Sequence, residues 1–196
     1  MASNVNARSI ERAHRRDRLV AAAARLFAER GFHGVSIEEI GASVGISGPA
    51  VYKHFPSKDA VLAALLVGVS RDLLEEGRRR VADAPTPDDA LERLLAFHAD
   101  FTLARPELIR VQDRDLGNLS AGEARTVRRF QRAYVELWVE VLVRVEPSLD
   151  LDEARTRIHA VFGLLNSTPH SVPAHATGHA RPILVTMARA AIRAGA

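Results

Sequence analysis

The sequence predicts an all-α protein of about nine helices, with a small N-terminal helix-turn-helix head and a larger helical body. Apolar residues recur almost throughout at intervals of three and four, the period of a helix. No segment alternates apolar and polar residues as a half-buried strand would, and no internal repeat emerges. Proline and glycine punctuate the periodic segments, as at Ala84-Pro-Thr-Pro87, Arg105-Pro106 and Glu146-Pro147.

Each element follows from its own stretch. Residues 15–30 carry Leu19, Ala22, Ala23, Leu26 and Phe27 on one stripe, and Gly31 is placed to stop that helix. Ser36-Ile-Glu-Glu39 reads as a capping box opening a short helix with Ile37, Ile40 and Val44 inward. Gly45 supplies a turn. Ser47 is then a cap, and Pro49 falls in a first turn where its missing N–H is harmless, so 47–54 reads as a second short helix. Phe55-Pro56 ends it, because the residue before proline avoids the helical region. Ser57 caps a long helix with Leu62, Leu65, Leu66, Val69 and Leu73 inward, ending near Arg78-Arg79-Arg80. Beyond the proline linker come helices at 88–104 and 106–116. A loop at 116–122 leads to a long helix reaching Val145, and final helices are predicted at 152–167 and 181–194.

The 196 residues include no cysteine, which removes disulfides and thiolate chemistry and fits a reducing, cytoplasmic setting. The polar N-terminus lacks the apolar core of a signal peptide, and no run of about 18 apolar residues suggests a membrane span. Net charge is +3, unevenly placed: residues 1–58 carry nine Lys/Arg against five Asp/Glu, and 59–196 carry eighteen against nineteen. Both lysines, Lys53 and Lys58, lie in the first stretch. A basic head on a neutral body is the electrostatic footprint of nucleic-acid binding. The domain division expected is 1–58 for an arm and nucleic-acid-binding head, and 59–196 for the helical body.

Two short helices about a glycine turn form a helix-turn-helix, whose second helix enters the major groove. Its outward set is Ser47, Gly48, Pro49, Ala50, Tyr52, Lys53 and His54, with Ser36 at the start of the first helix. The small residues allow close approach to base edges, and the others offer donors for bases or phosphates. Lys58, in the first turn of the next helix, is a candidate phosphate contact. Arg8, Arg12, Arg15 and Arg16 are candidates for a backbone-binding arm.

The run GFHGVSIEEIGASVGISGPAVYKHFPSKDAVL resembles the DNA-binding segment of the TetR family of transcriptional regulators. Ala23-Ala-Arg-Leu-Phe27 with Gly31-Phe32 matches that family's first helix, and Gly45 to Leu62 matches its recognition run. Two positions depart from the pattern, Gly41 where alanine is commoner and Pro49 where glycine is usual. The resemblance covers roughly residues 18–66. It implies a dimeric regulator, usually a repressor, whose body binds a small molecule that weakens DNA binding to a palindromic operator, with no cofactor beyond that effector.

Several polar residues interrupt apolar stripes in the body: His98 beside Phe101, Gln131 before Tyr134, Asn166 after Phe162, and His170 just beyond. Buried polar groups need partners, which a ligand supplies in a pocket, although each alone also fits a satisfied core residue. Tyr134, Trp138, Phe101 and Phe162 would form apolar walls. Arg110 and Arg114, one turn apart, suit an anionic ligand head such as that of an acyl-coenzyme A, or else surface pairs with Asp113 and Asp115. For the dimer interface the apolar faces of the last two helices offer Ile158, Val161, Leu165, Ile183, Leu184, Met187 and Ala191, which would leave an exposed patch on a monomer.

An enzyme is the first alternative. No Gly-rich phosphate loop, HExxH or Gly-x-Ser-x-Gly is found, so no catalytic residue is nominated. His170, His175 and His179 lack cysteine or carboxylate company, and no metal is expected. A scaffolding bundle is the second alternative, and it would have no use for the basic recognition helix.

Overall fold

Caps and left-handed glycines set the helix ends. Gly31 (φ 78°) and Gly45 (φ 77°) take the left-handed conformation that side chains disfavour, and each follows a helix that it terminates. Ser36 forms the expected capping box, its hydroxyl accepting from Glu39 N–H while the Glu39 carboxylate accepts from Ser36 N–H. The Thr86 hydroxyl accepts from Asp89 N–H and the Asp150 carboxylate from Asp152 N–H, capping two later helices.

The computed structural model describes residues 2–194, with side chains from Ile10 onward except that of Ala174. In chain order the helices are α1 (Ala2–Arg30), α2 (Ile37–Ser43), α3 (Gly48–Val51), α4 (Lys58–Ala82) and α5 (Pro87–Ala104). Then come α6 (Pro106–Asp115), α7 (Ala121–Val145), α8 (Leu151–Asn166), α9 (Thr168–Ser171) and α10 (Thr177–Ile192). No strand occurs among the described residues. The nine expected helices are present, and the single-turn α9 is an addition.

Three boundaries differ from the sequence-based expectation. α1 is helical from Ala2, so the segment expected as an arm is the first half of a long helix; the side chain of Arg8 lies outside the described residues. Regular α-geometry in α3 covers only Gly48–Val51, and turns closed by His54 N–H and Phe55 N–H on Val51 O carry the path onward. α10 begins at Thr177, four residues early, and carries the exposed Pro182 inside it.

Two compact units divide the chain: Met1–Val69 with Arg110–Thr126, and Ser70–Ile109 with Val127–Ala196. This differs from a single cut at 58/59, because the first half of α4 and the end of α6 pack with the head. The first unit is centred on Leu19, Phe27, Ile40, Val51, Phe55 and Leu62, all essentially inaccessible. The second is centred on Leu94, Leu95, Trp138, Leu142, Ile158 and Leu165. Each such side chain contributes about 1.5–3 kcal/mol on burial.

Candidate DNA interface and effector site

The helix-turn-helix is closed by backbone bonds that only a slim residue at position 41 permits. Ile46 N–H donates to Gly41 O at 3.0 Å, and a Cβ on Gly41 would lie 2.8 Å from both Ile46 O and Val51 Cγ2. The departure from alanine here therefore accompanies a tight α2–α3 approach. Val51 and Phe55 bury the inner side of α3, leaving Tyr52 and Lys53 exposed.

Cations from α1 brace the end of this helix. Arg12 Nη2 donates to Lys53 O at 3.4 Å, and Arg16 Nη1 donates to His54 O at 3.3 Å. The Arg16 guanidinium also lies 4.3 Å from the centre of the Phe55 ring. Arg18 Nη2 donates to Val44 O at 3.2 Å, at the helix-turn-helix corner. These carbonyls end helical turns, where cations are favoured.

Lys58 ties the connection between α1 and α2: its Nζ donates to Phe32 O at 2.8 Å and Val35 O at 2.9 Å, and sits 4.4 Å from the centre of the Phe32 ring. Lys58 and Arg16, expected on DNA, thus each hold backbone carbonyls of the first unit. Arg15 is paired with Glu11 at 2.7 Å. Ser36 is engaged as a cap, and Gly48 is buried, its would-be Cβ 3.1 Å from Glu38 Cγ. The outward set is thus narrower than expected: Ser47, Pro49, Tyr52 and Lys53, with Ala50 and His54 half-buried. Burial, then the nearby Arg12, Arg15, Arg16 and Lys53, lower the pKa of His54, whose buried Nδ1 has no partner.

Arg110 and Arg114, expected at a ligand, belong to the first unit. The Arg114 guanidinium donates to Phe27 O and Ala28 O, the last-turn carbonyls of α1, and is held by Asp115 at 3.1 Å. Asp115 is buried and accepts from Phe32 N–H at 3.4 Å, while His33 Nε2 meets Asn118 Oδ1 at 3.0 Å. Arg114 is therefore a cap on α1. Pairing with Asp115 is legible beside Arg114, whereas the bonds to Phe27 and Ala28 and the His33–Asn118 contact, between residues more than eighty apart, leave no local pattern.

The second unit gathers most of the remaining candidates. His98 lies 4.8 Å from Phe162, 5.8 Å from Tyr134, and 6.0 Å from both Trp138 and Phe101, between ring centres. Trp138 and Phe162 are 5.1 Å apart, edge to face. His98 Nε2 meets Asn166 Oδ1 at 3.2 Å, which makes Nε2 the protonated nitrogen, and Nδ1 faces Tyr134 Oη at 3.5 Å. Burial lowers the His98 pKa to about 4 against the Asn166 hydrogen bond, and pushes the Tyr134 phenol upward. Tyr134 packs on α4 at Gly77, where a Cβ would sit 2.6 Å from Tyr134 Cε2. Gln131 is half-buried one turn before Tyr134, and His170 is exposed on α9.

The expected dimer face needs correction. Ile158, Val161 and Leu165 are wholly buried within the second unit, and Leu184 and Ala191 pack against the same core. Of the expected residues, Ile183 and Met187 on α10 are each about half exposed, and the outward side of α8 carries His159, Ala160 and Gly163. An apolar stripe in sequence marks the side facing the core first, and the smaller residues beside it remain outside.

A basic helix-turn-helix with an exposed, braced second helix, joined to an all-helical body, defines a helix-turn-helix transcriptional regulator. Residues 19–65 match the family model described as bacterial regulatory proteins, tetR family, and residues 84–170 match the tetracyclin repressor-like C-terminal domain. The HTH-type transcriptional regulator CymR of Pseudomonas putida is 31% identical over 150 residues, covering 74% of this chain and 72% of that protein. The HTH-type transcriptional repressor KstR2 of Rhodococcus jostii (strain RHA1) is 30% identical over 129 residues, covering 65% and 63%. The solved structure of AibR in complex with isovaleryl coenzyme A and operator DNA shares the fold at TM-score 0.74 and 18% identity, covering 88% of this chain and 97% of that one. The chain belongs to the TetR family of transcriptional regulators, and it is a regulator rather than an enzyme.

Proposed function

We propose that the protein is a cytoplasmic repressor that binds a palindromic operator as a homodimer and is released by a small hydrophobic or acyl-coenzyme A-like effector, with no other cofactor. The observation that carries DNA reading is the exposed Tyr52-Lys53 end of α3, braced by Arg12 and Arg16 of α1. Tyr52 and Lys53 supply donors to phosphates or base edges, and Ser47, Pro49 and Ala50 form the close-approach surface. Pairing of α8 and α10 with their twins through Ile183, Met187, Ala160 and Gly163 would cover the exposed apolar side chains. Two-fold pairing sets two recognition helices one DNA turn apart, roughly 34–36 Å. The ring cluster about His98 is the effector site, and the complex of AibR with isovaleryl coenzyme A supports the effector class.

Selection from a random duplex library, followed by fluorescence anisotropy, tests the reading. The expected result is an inverted repeat bound by a dimer, with affinity falling steeply as salt rises. Equal affinity for the selected and scrambled duplexes would remove the proposed function.

A further inference from the structure

One polar atom in the second unit is left unexplained by the fold. Trp138 is wholly buried, and its Nε1–H has no hydrogen-bond partner. The indole lies near enough to Tyr134 to favour the phenolate slightly, without a bond of ordinary geometry. Buried donors without partners are rare, and each needs an account.

The neighbouring relay has a fixed direction. Tyr134 O–H points to His98 Nδ1, and His98 Nε2–H points to Asn166 Oδ1. That polarity leaves the Asn166 amide Nδ2 as a second donor, on a half-buried residue. The rings packed on the indole, His98, Tyr134 and Phe162, are uncharged. Burial keeps His98 neutral at pH 7. The buried cation of this unit, Arg157, is already matched by Glu146 at 3.2 Å, Glu153 at 2.5 Å and Ile192 O at 2.9 Å. A carboxylate entering among His98, Tyr134, Trp138 and Phe162 would be buried among uncharged rings, whereas a carbonyl oxygen needs only a donor.

We infer that the cluster receives the uncharged carbonyl end of the effector, an ester, thioester, amide or ketone, with Trp138 Nε1 donating to its oxygen and Asn166 at the rim. Phe101, Tyr134 and Phe162 wall the apolar chain attached to that carbonyl. The inference rests on the effector-responsive reading and narrows it: the acyl end of a thioester fits, and the corresponding free acid does not.

Trp138 is the sole tryptophan of the chain, so its emission reports on the site directly. Protein stripped of bound small molecules is titrated with isovaleryl- and stearoyl-coenzyme A, the matching methyl esters, and the free acids. Emission and release of the selected DNA are followed together. The neutral carbonyl compounds should shift the emission and release DNA, and the free acids should bind roughly a hundredfold more weakly than their esters. Trp138→Phe, assayed against its own DNA affinity, should require about tenfold more ester for release. Free acids binding as well as their esters, or unchanged ester sensitivity in Trp138→Phe, would overturn the inference. If small molecules from a cell extract release DNA but no carbonyl compound in the series does, the inference fails and effector response stands. If neither releases DNA, both fail.

Discussion

The two compact units use polar side chains in opposite ways. In the first, cations close on backbone carbonyls: Arg16 on His54, Lys58 on Phe32 and Val35, Arg114 on Phe27 and Ala28. In the second, an uncharged relay runs Tyr134–His98–Asn166 inside a ring cluster, and its single buried arginine is matched by carboxylates. Charge in the head thus fixes the shape of a surface, so a count of basic residues overstates the cations available to DNA. Neutrality in the body leaves room for an uncharged partner. The lesson is that a basic patch must be sorted by what each cation already holds before any of it is assigned to phosphate.

The largest test of this contrast is acid. Folded His98 stays neutral down to about pH 4, whereas the unfolded chain takes up that proton near pH 6.5. The unfolded state therefore binds the extra proton in between, and stability falls as pH is lowered from about 6.5 to 4, by up to roughly 3 kcal/mol. Thermal unfolding across that window should show the loss, and His98→Gln should flatten it even with a lower starting Tm. A profile unchanged by His98→Gln would place the acid sensitivity elsewhere.

Next comes Lys58→Ala, which strips two carbonyls of their donor and should cost about 1–3 kcal/mol by denaturant unfolding. Gly77→Ala probes the body by steric means. The added Cβ meets the Tyr134 ring and should cost about 1–3 kcal/mol while leaving DNA binding by the folded protein intact. Arg16→Ala is the mildest: operator binding should weaken about five- to tenfold as the end of α3 loosens. Wild-type affinity in that variant would show the Arg16 brace to be dispensable.

Much of this was legible in the sequence, for local reasons. Gly31, Ser36, Gly45 and Pro49 act through neighbours within four residues, so their pattern predicted the helix-turn-helix closely. His98, Tyr134, Trp138, Phe162 and Asn166 were identifiable as polar and aromatic interruptions on helical stripes, and the fold gathers them. What escaped depended on distant partners. Nothing near Arg114 indicates that it holds the Phe27 and Ala28 carbonyls, and nothing near Lys58 indicates Phe32 and Val35. Within the expected dimer face, Ile158, Val161 and Leu165 proved to satisfy the protein's own core, while Ile183 and Met187 stay exposed.

The most direct test of the central claim, that the head's cations divide into braces and DNA ligands, is the salt dependence of operator affinity in single variants. Lys53→Ala should reduce the slope of log K against log salt by about 0.9 for each phosphate that the variant no longer neutralises. Arg16→Ala and Lys58→Ala should weaken specific binding with the slope unchanged. Slopes reduced equally in all three variants would contradict the account and return Arg16 and Lys58 to the phosphate backbone.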